Sequence, residues 1–439
     1  MRTVIKAGGS SLKDVAGVRM VIGQAREIAG DRLVVVSAQG KETDRIIDAI
    51  QKSGNGGKPP KPEEIFREFE SMGIPSSYHR GVRDSIYMAF GNAANLSILP
   101  ESQRTGFYHM AGERLSAVAA EFVANQEGID AAMVDFMDED FPLVVRGHYL
   151  NASPDYGASR VNAQTLLEKH NGRMIIVPGY GGIDYRSRSM KALGRGGSDT
   201  AAFAYLYAFN ADELYILTDV NGILDGNVEG GKTVPELDID EVKDAATLGA
   251  KLPGRKAVQG LELCYAENSH PGVYIARDVH GERTSIKKET EKCPARLVAG
   301  REVAAFHVAG KLAGMEDALR KHGIDFPLGA GSDYAHIVVA GDVASYAQEV
   351  LSNFAMRKGG DVTVNSAVPM IYVGVVGNGM PDAAGSLNRA AGTLTHSGMT
   401  MAYGRDPGRV SLGYLINGDA TRPLLQDALT ALHKEFIRK

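Results

Sequence analysis

Short β-branched segments alternate with helical segments from Arg2 to about Ala276, and this alternation limits the folds open to the chain. The predicted helices include Val15–Ala29, which ends at Gly30, and Thr43–Lys52, and residues 63–127 are predicted to be largely helical. Strands separated by helices are typical of a parallel sheet, because each crossover helix packs on a face of the sheet. The pattern therefore predicts an α/β fold with a mostly parallel sheet sandwiched by helices. The predicted strands are Thr3–Ala7, Leu33–Ser37, Ala132–Phe136, Met174–Val177 and Glu213–Thr218.

The pattern changes near Cys293, where the elements become shorter and repeat. Residues 303–368 read as βαββαβ, and residues 370–437 read as βαββα, which is one strand short. We interpret the repeat as two ferredoxin-like modules that share a strand beginning at Ala295–Val298. Internal repetition of this kind favours a regulatory or structural role. The predicted domains are residues 1–294 and residues 295–439.

Charge and cysteine content exclude several classes of protein. The 439 residues include 48 basic and 53 acidic side chains, which gives a net charge of −5, and neither sign is concentrated in one part of the sequence. This balance argues against nucleic acid as a main partner, which usually requires a basic face. The two cysteines have no CxxC spacing, which fits a reducing compartment. No segment approaches the roughly 18 apolar residues of a membrane span, so we expect a cytoplasmic protein without a membrane partner.

The first motif that suggests chemistry is KAGGSS, Lys6–Ser11, at the end of the first predicted strand. Backbone amides exposed by Gly8 and Gly9 can surround a phosphate, and Lys6 adds a positive charge. The alternative is an ordinary strand-to-helix turn with a solvated lysine. The motif alone leaves both interpretations open.

The second motif is LGRGGSD, Leu193–Asp199. Arg195 lies between glycines, and its planar guanidinium suits a carboxylate or a phosphate. We expect Ser198 to cap a helix over Asp199–Phe209, with Asp199 holding a lysine in place. A capped surface turn is the alternative.

Three further positions are weaker candidates. Thr218 and Asp219 end a strand, where the ligand crevice of an open α/β sheet lies, although an Asx turn would explain them too. Glu113 opens a predicted helix, and an exposed helix start explains it equally well. Lys251 follows a helix and precedes Pro253, where lysines are usually solvated. The eleven histidines show no metal-ligand spacing, so we predict no protein metal site.

Taken together and in order, these motifs resemble those of the aspartate kinases, a group within the amino-acid kinase superfamily. The resemblance extends to VVVSAQGKETD, which contains Thr43, and it covers nearly the whole chain. The C-terminal repeats resemble ACT domains, and VGNGM, Val376–Met380, is similar to the start of the second ACT module. The other matching segments are KAGGSS, GERLSA, LGRGGSD, ILTDVNGIL and GAKLP.

The resemblance implies a kinase domain at 1–294, paired ACT modules at 295–439, and the reaction of ATP with L-aspartate to give 4-phospho-L-aspartate. That reaction is the first step toward lysine, threonine and methionine. The implied cofactors are ATP and Mg²⁺, with Lys6 and Asp199 catalytic. The implied nucleotide-binding residues are Lys6, Gly8, Gly9, Ser10, Thr218, Asp219 and Lys251. The implied substrate-binding residues are Ser37, Thr43, Glu113, Arg195 and Ser198.

The chain departs from the family pattern in its nucleotide stretch and in its first ACT module. The family usually has a longer segment that contains a tyrosine and an aspartate-proline-arginine sequence, and this chain has Leu224–Asn227 in its place. The turn at Ala309–Lys311, in the first ACT module, is too short for a good effector pocket. We expect a homo-oligomer through the ACT modules, with any amino-acid effector at their interface. The Gly377–Gly385 loop of the second module is the better preserved effector loop, so inhibition by lysine or threonine should be weak or absent, or should depend on residues of that loop such as Asn378 and Met380. Two alternatives stay open: an amino-acid or carbamate kinase with another carboxylate substrate, and a catalytically weak ACT-based sensor.

Overall fold

A computed structural model describes most of the chain. Thr43 lies outside the described residues, as do the helix predicted at Thr43–Lys52 and most of the helical region predicted before Ala111. In the part of the chain that is described, no helix is long and apolar enough to span a bilayer. The described residues are 1–40, 73–75, 77–78, 81–82, 84, 110–187, 189–321, 324, 328–330, 333–380, 385–405, 410–417 and 424–438.

Helices and strands are interspersed along the described residues, and the expectation of shorter elements after Cys293 is wrong, because the later elements include a strand of 14 residues and a helix of 14 residues. The helices are α1 (Val15–Glu27), α2 (Ala111–Gln126), α3 (Tyr156–Lys169), α4 (Gly197–Ala208), α5 (Ile239–Leu248), α6 (Gln259–Ala266), α7 (Met315–Lys321), α8 (Ala344–Arg357), α9 (Ser386–His396) and α10 (Leu424–Phe436). The strands are β1 (Arg2–Ala7), β2 (Asp31–Val36), β3 (Ala131–Met133), β4 (Val145–His148), β5 (Asn151–Pro154), β6 (Met174–Pro178), β7 (Gly181–Asp184), β8 (Ser189–Ala192), β9 (Glu213–Leu217), β10 (Ile223–Leu224), β11 (Thr233–Val234), β12 (Glu236–Asp238), β13 (Gly272–Ala276), β14 (Arg283–Lys287), β15 (Leu297–Gly310), β16 (Leu328–Ala330), β17 (Tyr334–Ala340), β18 (Val362–Val364), β19 (Val368–Val376), β20 (Met401–Arg405) and β21 (Ser411–Asn417).

Contacts group the chain into two compact units. The first unit comprises Met1–Gly222 and Lys256–Arg283, and the second comprises Ile223–Arg255 and Thr284–Lys439. This grouping describes compactness alone, and the division into domains at residues 294 and 295 stays a prediction.

The first unit is built on a parallel sheet with strand order β13-β9-β1-β2-β6-β3. Its central strands are buried on both faces, which explains their continuous apolar sequences. Helices α1 and α2 pack together in one core cluster, and α4 packs against β1, α3 and α6. The predicted parallel sheet between helices is confirmed.

The register of the sheet brings several loops to one edge. Ala7, the last residue of β1, pairs with Val36 of β2 on one side and with Leu217 of β9 on the other. All three strands run in the same direction, so the segments that follow them leave from the same edge of the sheet. This edge carries the glycine turn after β1, Ser37 after β2 and Thr218 after β9.

The second unit contains an antiparallel sheet with strand order β16-β17-β15-β19-β21-β20. The shared strand predicted from Ala295–Val298 is the continuous strand β15. Its first part pairs with β19 and its last part pairs with β17 and β18, so it completes both modules. Helices α7 and α8 cover one hydrophobic core, and α9 and α10 cover another. The two ferredoxin-like modules are therefore halves of one sheet.

Helix α5 is attached to this sheet by buried acidic side chains. Asp244, which is 2% exposed, accepts hydrogen bonds from the backbone amide of Val410 and the hydroxyl of Ser411. Glu241 is fully buried and accepts from Arg296 at 2.8 Å and from the Asn378 amide at 2.9 Å. Desolvation raises the pKa of the Glu241 carboxyl. Both acids thus hold α5 within the second unit.

The loop after β19, which the sequence suggests as the better preserved effector loop, is used for internal contacts. The Asn378 side chain donates to Asp238 at 3.0 Å and accepts from the Cys293 amide at 2.7 Å. Met380 is 2% exposed and belongs to a hydrophobic core. The dependence of effector inhibition on Asn378 and Met380 stays a prediction. A test of it has to separate effector binding from the structural roles of these two residues.

Candidate active site

The glycine turn after β1 is closely packed. A Cβ atom at Gly9 would lie 2.6 Å from the Ala38 carbonyl oxygen and 2.8 Å from that of Gly40. Glycine is therefore required at this position, because a side chain would collide with backbone. Lys6 folds back toward the turn, with its Nζ atom 3.7 Å from where a Cβ of Gly8 would lie.

Lys6 contacts the start of α4. Its Nζ atom lies 2.7 Å from Oδ1 of Asp199, and the two side chains are 12% and 22% exposed. Asp199 lies in the first turn of the helix, so this ion pair connects the end of β1 to the N-terminus of α4. The ammonium group is thereby held beside the glycine turn. The catalytic roles of both residues stay predictions.

Unused backbone amides occur on both sides of this pair. No described residue accepts a hydrogen bond from the amides of Gly9, Ser10, Gly196 or Gly197. Amides at a glycine turn and at a helix N-terminus bind anions well, because they point outward and the helix dipole favours negative charge there. The arrangement suits an anion such as a phosphate.

The turn before α4 depends on left-handed backbone conformations. Gly194 has φ +82° and Gly196 has φ +69°, and Tyr180 adopts φ +66°, which is unusual for a residue with a side chain. The Leu193 amide donates to the Tyr180 carbonyl oxygen at 2.8 Å. A Cβ atom at Gly197 would lie 2.9 Å from that same oxygen. Tyr180 and the turn are thus fixed against each other.

The predicted helix cap at Ser198 is wrong. Gly196 occupies the cap position and the helix begins at Gly197, because two left-handed glycines let the chain enter the helix earlier. Ser198 lies in the first turn, 8% exposed, close to Gly179 at the end of β6. Its role in substrate binding stays a prediction.

Other predicted residues lie along the same edge of the sheet or on the turn before α4. Arg195 is exposed on that turn. Ser37 is partly buried, and its amide donates to the Ala7 carbonyl oxygen at 3.0 Å. The Thr218 hydroxyl donates to Oδ1 of its neighbour Asp219, which is exposed, at 3.1 Å. The structure therefore brings Ser37 and Thr218 to the edge that carries Lys6.

Glu113 is buried rather than exposed. It lies in the first turn of α2 and is 2% exposed, so an exposed helix start does not explain it. The next residue, Arg114, makes two hydrogen bonds to the carboxylate of Asp135, at 2.8 and 2.6 Å. Asp135 follows β3 closely, and its position near the end of a parallel strand is the signal by which the sequence could have singled it out.

The two lysines near residue 250 differ. Lys251 is exposed in the second unit, shortly after Gly249, which caps the C-terminus of α5 with φ +106°. Lys256 belongs to the first unit, and its Nζ atom donates to the Leu193 carbonyl oxygen at 2.6 Å and to Oδ1 of Asn151 at 2.7 Å. Sequence reasoning missed Lys256, because nothing in its local sequence indicates these contacts.

Comparison with known proteins assigns the chain to a family. A family model described as the amino acid kinase family matches residues 1–262. The chain therefore belongs to the amino acid kinase family.

Within that family, this chain is similar to aspartokinases. The aspartokinase of Mycobacterium bovis is 28% identical over 256 residues, which cover 57% of this chain and 49% of that protein. The chain thus matches about half the length of that relative. The aspartate kinase of Pseudomonas fluorescens is 23% identical over 407 residues, covering 88% of this chain and 86% of that protein. The structure of E. coli aspartokinase III in complex with aspartate and ADP (R-state) has a TM-score of 0.79 and 20% identity, covering 98% of this chain and 100% of that chain, and shows the same fold.

Proposed function

We propose that this chain is an aspartate kinase, which transfers the γ-phosphoryl group of ATP to the β-carboxylate of L-aspartate. The observation that carries the proposal is the Lys6–Asp199 ion pair, held between two glycine turns with unused amides. The aspartokinase relatives support the choice of aspartate over the carboxylate substrates of other kinases. These findings favour it over the two alternatives.

The chemistry requires positive charge rather than a protein nucleophile. Phosphoryl transfer depends on in-line positioning and on neutralising the charge that spreads over the transferring group. Lys6 and the amides of Gly9 and Ser10 would supply that charge without reorganising during the reaction, whereas the Gly8 amide already donates to the Leu217 carbonyl oxygen at 3.4 Å. Asp199 would keep Lys6 in place. The acceptor carboxylate is already an anion, so no strong general base is needed.

The amino-acid substrate requires one group of each sign. Arg195 would bind its α-carboxylate through a bidentate pair, and Glu113 would bind its α-ammonium. Three hydroxyl groups would add neutral hydrogen bonds, from Ser37, Thr43 and Ser198. The nucleotide would contact Gly8, Gly9, Ser10, Thr218, Asp219 and Lys251.

Mg²⁺ would enter bound to the phosphates of ATP. This ion usually keeps several waters and takes only one or two protein carboxylates in phosphate-transfer sites. The exposed carboxylate of Asp219 can supply one such oxygen. Among the described residues there is no group of three or more His, Cys, Asp or Glu side chains that could hold a metal.

The C-terminal third would act as a regulatory region. We assign residues 1–294 to the kinase domain and residues 295–439 to paired ACT modules. A small sheet with open edges favours pairing with a second copy, so we propose a homodimer through residues 295–439 with an effector amino acid at the interface. Sedimentation of the full chain, compared with a chain ending near Ala295, tests this. A shortened chain that stays dimeric would contradict it.

The activity is tested by coupled ADP release from the purified chain with ATP and Mg²⁺. We expect ADP release that depends on L-aspartate and is weak with L-glutamate, carbamate or no acceptor. Preference for another acceptor would indicate a different kinase of the family. Binding of amino acids without ADP release would indicate a sensor.

A further inference from the structure

Lys256 binds the backbone immediately before the Arg195 turn. Its ammonium group lies 2.6 Å from the carbonyl oxygen of Leu193, which is fully buried. The same ammonium lies 2.7 Å from Oδ1 of Asn151 in β5. A Cβ atom at Gly194 would lie 3.0 Å from that Asn151 oxygen, so the ammonium and the turn share one neighbour. Hydrogen bonds from a charged donor are stronger than neutral ones.

The segment that follows Lys256 is buried in the core. Ala257, Val258 and Leu261 are each at most 2% exposed, so the residues that follow Lys256 are fixed in the core. Gly260 packs α6 directly on α4, since a Cβ atom there would lie 2.1 Å from the carbonyl oxygen of Phe203. Lys256 is therefore attached to the same helix that the Arg195 turn leads into.

The contact has a direct effect on the orientation of the turn. In a trans peptide the carbonyl and the following amide point in opposite directions. With the Leu193 carbonyl held by Lys256, the Gly194 amide points the other way, and no described residue accepts a hydrogen bond from it. The ammonium also polarises the peptide, which strengthens that amide as a donor.

We propose that Lys256 is a positioning residue, which fixes the Gly194–Gly197 turn so that Arg195 and the adjacent amides receive an anionic group of the substrate. This inference rests on the proposed function, because that function assigns Arg195 to the substrate. Lys256 acts through the Leu193 carbonyl and does not itself touch the substrate. On the other side, the turn is fixed by the bond from Leu193 to the Tyr180 carbonyl.

The test compares Lys256→Met and Lys256→Arg with the control Lys288→Met, which removes an exposed lysine of the second unit. Two readouts are measured on the full chain: amide hydrogen exchange across residues 190–203, and KM for aspartate and for ATP. The informative amides are those of Leu193 and Thr200, whose acceptors are Tyr180 and Gly196. Lys256→Arg keeps a charged donor, and it is the variant on which both readouts are measured if Lys256→Met folds poorly.

For Lys256→Met we expect faster exchange at Leu193 and Thr200 and an aspartate KM raised about tenfold or more, the size expected from losing a charged hydrogen bond. The ATP KM should change little, Lys256→Arg should recover part of both effects, and the control should show neither. Unchanged exchange in Lys256→Met would overturn the positioning role, whatever the activity.

The same experiment separates this inference from the proposed function. Faster exchange with an unchanged aspartate KM would overturn the link from Lys256 to substrate binding. In that case Arg195→Ala shows where the error lies. An unchanged aspartate KM in Arg195→Ala would mean that the proposed function misassigns Arg195. A raised aspartate KM in Arg195→Ala would mean that only the link from Lys256 to substrate binding is wrong.

Discussion

Lys6 Nζ lies 2.7 Å from Oδ1 of Asp199, and this ion pair joins the end of the first strand to the start of α4. The two residues belong to separate glycine motifs that are far apart in the sequence. Their contact places the glycine turn after β1 next to the turn that bears Arg195. An anion bound between the two turns would meet one ammonium group and amides from both.

Lys6→Ala should lower kcat by at least about 10²-fold, because it removes a preorganised charge from the transferring phosphoryl group. Folding should change little, since Lys6 lies at the end of its strand. The measurement is steady-state kinetics with a thermal melt of each variant. Lys13→Ala, which removes an exposed lysine nearby, is the matched control. A kcat close to that of the unaltered protein would remove Lys6 from the mechanism.

Arg195→Lys should raise KM for aspartate far more than KM for ATP. Lysine keeps the positive charge but cannot form the two parallel hydrogen bonds that a guanidinium makes with a carboxylate. Separate titrations of the two substrates measure the two constants. A change confined to the ATP constant would mean that Arg195 binds the nucleotide instead.

Much of the first unit follows from the sequence alone. Continuous apolar runs such as Leu33–Val36 predict buried parallel strands, and the structure contains them as strands. Glycine spacing likewise predicts the turns at Gly8 and Gly196. The capping prediction failed at Ser198, because residue preference alone does not reveal that left-handed glycines start the helix earlier.

Contacts between distant segments were harder to predict. The pattern suggested a shared strand at Ala295–Val298, but Gly300 and Arg301 interrupt its apolar alternation, so its continuation to Gly310 shows only in the pairing. Lys256 follows a loop-like segment and reads as a solvated lysine. Its contact with Leu193 exists only because α6 packs on α4.

Asp184 should make stability depend on pH in the acid range. Burial acts to raise its pKa, but hydrogen bonds from Lys191 at 2.5 Å and from the amides of Arg186 and Ser187 outweigh burial and lower the pKa overall. The native state therefore binds fewer protons than the unfolded chain near and below the ordinary aspartate pKa of about 3.9. The free energy of unfolding should rise with pH in that range and fall as the pH drops through the native pKa.

Melting temperatures of the unaltered protein and of Asp184→Asn, measured between pH 3 and pH 7, test this. The difference between them should be largest at pH 7 and shrink toward pH 3. The control is Asp130→Asn, because Asp130 is an exposed aspartate with a side chain 75% accessible. A difference that does not vary with pH would show that the Asp184 charge contributes nothing.

Cys264 should resist alkylation in the native protein. The thiol is buried, and burial raises its pKa to about 11, so little of the reactive thiolate exists at pH 8. Peptide mass mapping after treatment with iodoacetamide should show Cys264 unmodified until the protein is unfolded. Rapid native modification of Cys264, compared with the partly exposed Cys293, would contradict its burial.

The most direct test of the proposed activity is to trap the product with hydroxylamine. Acyl phosphates react with hydroxylamine to give hydroxamates, and mass spectrometry of the product identifies which carboxyl group was phosphorylated. We predict aspartate β-hydroxamate that requires ATP, Mg²⁺ and L-aspartate and is lost in Lys6→Ala. ADP release without any β-hydroxamate, or a hydroxamate formed from another acceptor in its place, would contradict the assignment of this chain as an aspartate kinase.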